Sequence, residues 1–176
     1  MSFLRKLALA HQKHEGWSSN SVSQRNNNPG NLRLTKYQIH AYGAVPGDMS
    51  FAKFPTYEVG FRALQDDVRA KITGHSAHID YEMDPTFIDY ISVYAPRADG
   101  NDPSAYAMAI IRSLPGYNIA YDTPLTVLAQ YLEGSNRAVD NISIRINYNR
   151  TLRAFKRAVG ALKRELGRKL ARLKKR

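Results

Sequence analysis

Apolar positions near the start of the chain recur at intervals of three and four residues: Phe3, Leu4, Leu7, Ala8 and His11. That period predicts an amphipathic helix with one buried stripe, opened by Ser2 as a cap. Gly16 fits a left-handed stop, which places Glu15 in the last turn with Trp17 next to it along the chain. A second helix is predicted from the cap Thr56 to about Thr73. Its inner face is Val59, Ala63, Leu64, Val68 and Ile72, and Gly74 ends it. Further helices start at Asp84 or Pro85, at Asp102-Pro103 and at Thr123-Pro124. They end at Ala95-Pro96, Pro115-Gly116 and Gly134-Ser135-Asn136. Leu32 to Thr35 and Ser50 to Phe54 have the length of strands. Tyr42, Gly43, Pro46, Gly47 and Asp48 form a turn-rich connection between them, so a small hairpin or excursion is expected. Residues 142–148 alternate like a strand yet run into a helical pattern, and their state stays open. The last pattern is the clearest: Leu152, Phe155, Val159, Leu162, Leu166, Leu170 and Leu173 predict an amphipathic helix about 36 Å long.

Composition locates the charge. The 176 residues carry a net +11, and residues 150–176 hold 12 Lys or Arg against the single acid Glu165. The basic character therefore belongs to the tail, and the body, with a net charge of zero, offers no sign of binding an anionic polymer. The absence of cysteine excludes disulfides, zinc ribbons and thiol catalysis. No apolar run reaches the roughly 18 residues that a membrane helix needs. The apolar run Leu7 to Ala10 after Arg5 and Lys6 is too short for a signal peptide, so no conventional leader is expected.

Candidate chemistry concentrates in His14 to Arg33. The negative end of the helix dipole disfavours ionisation of Glu15, and Trp17 is close enough in sequence to shield it from water. A carboxylic acid kept protonated near neutrality is what protonating a glycosidic oxygen requires. A solvated glutamate beside a stop signal is the plainer reading of the same residues. Asn26, Asn27, Asn28 and Asn31 supply amide donors and acceptors of the kind that recognise sugars, with Pro29-Gly30 as a turn pair. An Asx-rich surface turn has the same composition. Two histidine pairs, His11 with His14 and His75 with His78, raise the question of zinc. The spacing matches neither HExxH nor its inverse, so no metal and no cofactor is expected.

Four motifs occur in order: HEG at 14–16, NNPGNLR at 27–33, FAKFPTYEVGFRAL at 51–64 and YAPRADGNDPSAY at 94–106. Together they resemble the lysozyme-like superfamily, in particular phage lysins and tail or virion muramidases related to lytic transglycosylases, over roughly residues 5–132. The resemblance implies an α+β, predominantly helical fold with a small β element beside a sugar-binding cleft. It implies peptidoglycan as the partner and Glu15 as the catalytic residue at the end of the first core helix. Asn28 and Asn31 would line the cleft, Tyr94 would face the sugar and Tyr106 would sit near the carboxyl. The organisation expected is a catalytic domain over 1–135, a connecting segment over 136–149 and a basic helical tail over 150–176.

Glycoside hydrolysis usually employs two carboxylates. Asp48, in the turn-rich connection, is the leading candidate for the second. Glu58 reads as a helix-start charge, and Asp99 and Asp102 as loop and cap residues. Lytic transglycosylases, by the same resemblance, use one glutamate as acid and then base, which is the favoured expectation. The tail, with Arg157, Lys163, Arg164, Arg168, Lys169 and Arg172 around its leucine stripe, suits an anionic membrane or lipopolysaccharide. Docking on the body or on another tail is the plainer use of that stripe. Nucleic acid fits less well, because Phe155 is the only aromatic beyond Tyr148. A leaderless lysin would wait in the host cytoplasm for holin-dependent release to the periplasm, or travel in a virion. A non-catalytic glycan-binding or virion structural protein is the competing class.

Overall fold

In the computed structural model the chain divides into two units, Met1–Ser135 and Asn136–Arg176, and the structure describes residues 1–134. The connecting segment and the cationic tail, including Arg157, Lys163, Arg164, Arg168, Lys169 and Arg172, lie outside the described residues. The first unit is mostly helical with one small antiparallel sheet, an α+β arrangement. No helix among the described residues is long and apolar enough to cross a membrane.

Helix α1 (Phe3–His14) starts where Ser2 accepts a hydrogen bond from the Arg5 N–H, and it buries Phe3, Leu4, Leu7, Ala8, Ala10 and His11. The stripe read from the sequence is therefore the face that packs against α4 (Tyr57–Ile72), α6 (Pro103–Arg112) and α7 (Leu125–Leu132). Thr56 caps α4 through the Val59 N–H, and Asp102 caps α6 through Ser104 and Ala105 with Pro103 in the first turn. Helix α5 (Phe87–Tyr94) begins slightly later than Asp84-Pro85 suggested. Thr86 and Asp89 form a reciprocal capping box there, which fixes the start. Helix α7 follows Pro124, whose neighbour Thr123 accepts the Phe87 N–H at 2.7 Å.

The β region differs from the sequence expectation. Leu32 to Thr35 is not a strand: Arg33 makes only an isolated bridge to Phe51, and Thr35 caps a helix, α3 (Lys36–Tyr42). The hairpin pairs β1 (Val45–Pro46) with β2 (Ala52–Lys53), in the register Val45 to Lys53 and Pro46 to Ala52. Proline is tolerated in so short a strand because one face of its backbone needs no donor. Between them runs a 3-10 turn, Asp48–Ser50. A short helix α2 (Val22–Arg25) precedes the asparagine loop. Leu32, Tyr42, Ala44, Ala52, Phe54 and Ala63 close a small core that attaches the hairpin to α4.

Candidate active site

Glu15 is the C-cap of α1, its N–H bonded to the His11 carbonyl at 2.8 Å, and Gly16 follows at φ 74°. The buried stripe of α1 therefore sets where the carboxyl points. Tyr106 on α6 donates its hydroxyl to Glu15 Oε1 at 2.8 Å. The Asn31 amide Nδ2 donates to Oε2 at 3.0 Å and to the Glu15 main-chain oxygen at 3.2 Å. Burial raises the Glu15 pKa, and the bonds from Tyr106 and Asn31 and the nearby His14 partly oppose that shift. Trp17 packs on Tyr57, ring centroids 5.0 Å apart.

A cavity of about 640 Å³ opens in front of the carboxyl, walled by Glu15, Asn31, Tyr94, Asp67, Lys71 and Asp99 among others. That volume suits a small ligand or one part of a polymer, within the roughly 300–1,000 Å³ of typical sites. Tyr94 closes α5 and donates its hydroxyl to the Gly30 carbonyl at 3.1 Å. A Cβ at Gly30 would lie 2.6 Å from Leu64 Cδ1 and 3.0 Å from the Tyr94 hydroxyl, so a larger residue here would have to displace both side chains.

Two sequence-selected residues lie elsewhere. Asn28 does not line the cavity: it is 0% exposed, and its amide is fully engaged with backbone. Its Nδ2 donates to the Leu32 and Ala52 carbonyls at 2.9 and 2.8 Å, and its Oδ1 accepts the Leu32 N–H at 2.9 Å. It clamps the loop to the hairpin. Asp48 is also outside the cavity wall, because Arg25 holds its carboxylate with Nε and Nη2 at 2.9 and 2.8 Å from Oδ2. Sequence reasoning missed Asp67 and Lys71, an ion pair one turn apart on α4 that reads as an ordinary helix-surface pair. In the structure both line the cavity, and Asp67 Oδ2 and Asn31 Oδ1 are buried acceptors with no hydrogen-bond partner among the described residues. Groups left this way are expected to meet a donor-bearing ligand or water.

His11 belongs to the buried stripe of α1, and its two ring nitrogens meet tyrosine hydroxyls. Nδ1 lies 2.9 Å from Tyr106 Oη and Nε2 lies 2.6 Å from Tyr90 Oη. Burial, followed by the charges of Lys71 and His14, lowers the His11 pKa from 6.5 to about 3. The unfolded chain therefore binds a proton between those values that the folded chain refuses. Stability is fully present above 6.5 and falls with pH by about 1.4 kcal/mol per pH unit below it. Urea midpoints should show this loss between about pH 7 and pH 5, and His11→Gln, weaker at neutrality, should lack that component of the slope.

No family model, curated protein or solved structure matches the chain. The functional reading therefore rests on the site itself and on the motif resemblance.

Proposed function

We propose that this chain is a peptidoglycan-degrading muramidase of lysozyme-like fold that cleaves the β-1,4 bond between N-acetylmuramic acid and N-acetylglucosamine. The observation that carries the reading is a glutamate with a raised pKa on a cavity wall, its two oxygens held by separate donors. Such a group is protonated over a wider pH range than a solvated carboxylate, and it is oriented before the substrate arrives.

In the favoured route Glu15 gives its proton to the glycosidic oxygen as the bond from that oxygen to C1 of the muramic acid breaks. The carboxylate then takes the proton of the sugar's 6-hydroxyl, whose oxygen closes on C1. The product is a 1,6-anhydro sugar, and no water and no cofactor enter. Asp48 is committed to Arg25 away from the cavity wall, and the two carboxylates that share the wall with Glu15 face cations of their own, Asp67 facing Lys71 and Asp99 facing Arg33, which favours the single-residue route. Asn31 and Tyr94 bind the glycan, and Asp67 with Lys71 extends the polar wall. The cationic tail takes the enzyme to an anionic membrane or lipopolysaccharide surface. The protein then acts either after holin-dependent release from the host cytoplasm or from a virion.

Mass analysis of digested peptidoglycan tests the reading. Anhydro ends are expected. Reducing ends would instead mean hydrolysis with a second carboxylate, and intact glycan would replace the enzyme with a glycan-binding or virion structural module.

A further inference from the structure

Behind Glu15 the site continues into a file of buried polar side chains that the proposed chemistry leaves without a role. Tyr90 on α5, His11 on α1 and Tyr106 on α6 join hydroxyl to imidazole to hydroxyl before reaching Oε1. His11 and Tyr90 are 0% exposed and Tyr106 is 4% exposed. A hydroxyl has one proton and a neutral imidazole one N–H, so the file has two self-consistent directions. In the first, Tyr90 donates to Nε2, Nδ1–H donates to Tyr106, and Tyr106 donates to Glu15 Oε1. In the second, every bond reverses, and the Tyr90 proton loses His11, its one hydrogen-bond partner among the described residues. A fully buried donor left without an acceptor is the costlier arrangement.

The groups facing this file are His14 on α1, Asp67 and Lys71 on α4, Tyr94 on α5, and Glu15 itself. Burial holds the imidazole neutral and holds Tyr90 and Tyr106 in their protonated forms. Neither the imidazole nor the two tyrosines of the file therefore change charge near neutrality.

We propose that Tyr90 and His11 are positioning residues acting through Tyr106: they fix the file in its first direction, keep Oε1 occupied as an acceptor, and leave Oε2 to carry the transferable proton. The catalytic half of this statement rests on the acid–base reading of Glu15. Oε2 is the oxygen beside Asn31, which lines the cavity, whereas Tyr106 is not part of that wall. The proton thus leaves Oε2 for the glycosidic oxygen, and the proton from the 6-hydroxyl returns to Oε2. The file passes no proton and keeps one imidazole tautomer throughout.

Nitrogen-15 NMR of the imidazoles in the full chain, between about pH 5 and pH 8, reads the direction without any variant or turnover. His11 is expected to stay neutral with its proton on Nδ1. A proton on Nε2, a mixture of tautomers, or an imidazolium in that range overturns the proposal. Tyr90→Phe should admit the Nε2–H form and lower kcat on soluble peptidoglycan fragments by about tenfold with little change in KM. A folded Tyr90→Phe protein with full kcat breaks the link to Oε2. An Nδ1–H imidazole in a protein that cleaves nothing upholds the file and sinks the muramidase reading; an Nε2–H imidazole in an active enzyme does the reverse.

Discussion

Glu15→Gln is expected to fold, to lose about 100- to 10,000-fold in peptidoglycan cleavage, and to melt higher than the parent protein at neutral pH. The first effect follows because glutamine occupies the same space, its oxygen accepting from Tyr106 and its NH2 donating to Asn31 Oδ1 once that amide turns over, but it has no acidic proton to transfer. The second follows from the sign of the shift. Burial raises the carboxyl's pKa above its ordinary 4.5, so the folded state resists the ionisation that the unfolded chain undergoes freely. The cost begins as pH rises through the ordinary value and is complete above the folded one. The difference in melting temperature should therefore open between acid and neutral solution and vanish at low pH. Equal melting curves at every pH would mean that the Tyr106 and Asn31 bonds cancel the burial cost. Retained cleavage would remove Glu15 from the mechanism.

Gly60→Ala should destabilise the protein by about 3 kcal/mol or more, a drop on the order of 10 °C in Tm. Helix propensity alone predicts the opposite, since alanine is favoured over glycine by about 1 kcal/mol within a helix. The close approach decides the sign: a Cβ at Gly60 would lie 1.8 Å from the Asn27 carbonyl oxygen and 3.1 Å from Phe54 Cδ2. The first of these atoms is backbone, so relief requires the start of α4 to move away from the asparagine loop. That loop carries Asn31, and cleavage should fall along with stability. Calorimetry showing a melting point at or above the parent value would contradict the packing of α4 on this loop.

What was legible in the chain was mostly local. Ser2, Thr56 and Asp102 announce their helices because a cap needs only its own next turn, and the α1 stripe identifies the buried face. Helix α3 was hidden because it buries only Tyr42 and leaves Tyr37 and Ile39 exposed, which blurs the period. Its Thr35 cap and its left-handed stop at Gly43 were the signals available. The end of the first helix singled out Glu15 and the amide-rich loop offered Asn31, the resemblance added Tyr94 and Tyr106, and the geometry brings all four to one place. Asn28 was misassigned because an amide serves ligand or backbone equally well, and only the position of Ala52, 24 residues away, decides which. Asp67 was overlooked for a related reason: an acid one turn from a lysine looks solvated until the far wall of the cavity is known. Tyr90 reads as apolar filling until the histidine opposite its hydroxyl is located.

Asn31 carries a consequence of a different kind. Its backbone sits at φ 46°, in the left-handed region, while its amide reaches Glu15. Glycine would keep the backbone and lose the donor; glutamine would keep the amide and lengthen it, on a backbone it adopts poorly; aspartate would set a second acceptor against the carboxylate. The conformation and the chemistry each permit several amino acids, and their overlap is a single one. Substitution is therefore confined more tightly at this half-buried turn than at many positions of the interior, where one hydrophobic side chain of suitable volume can replace another.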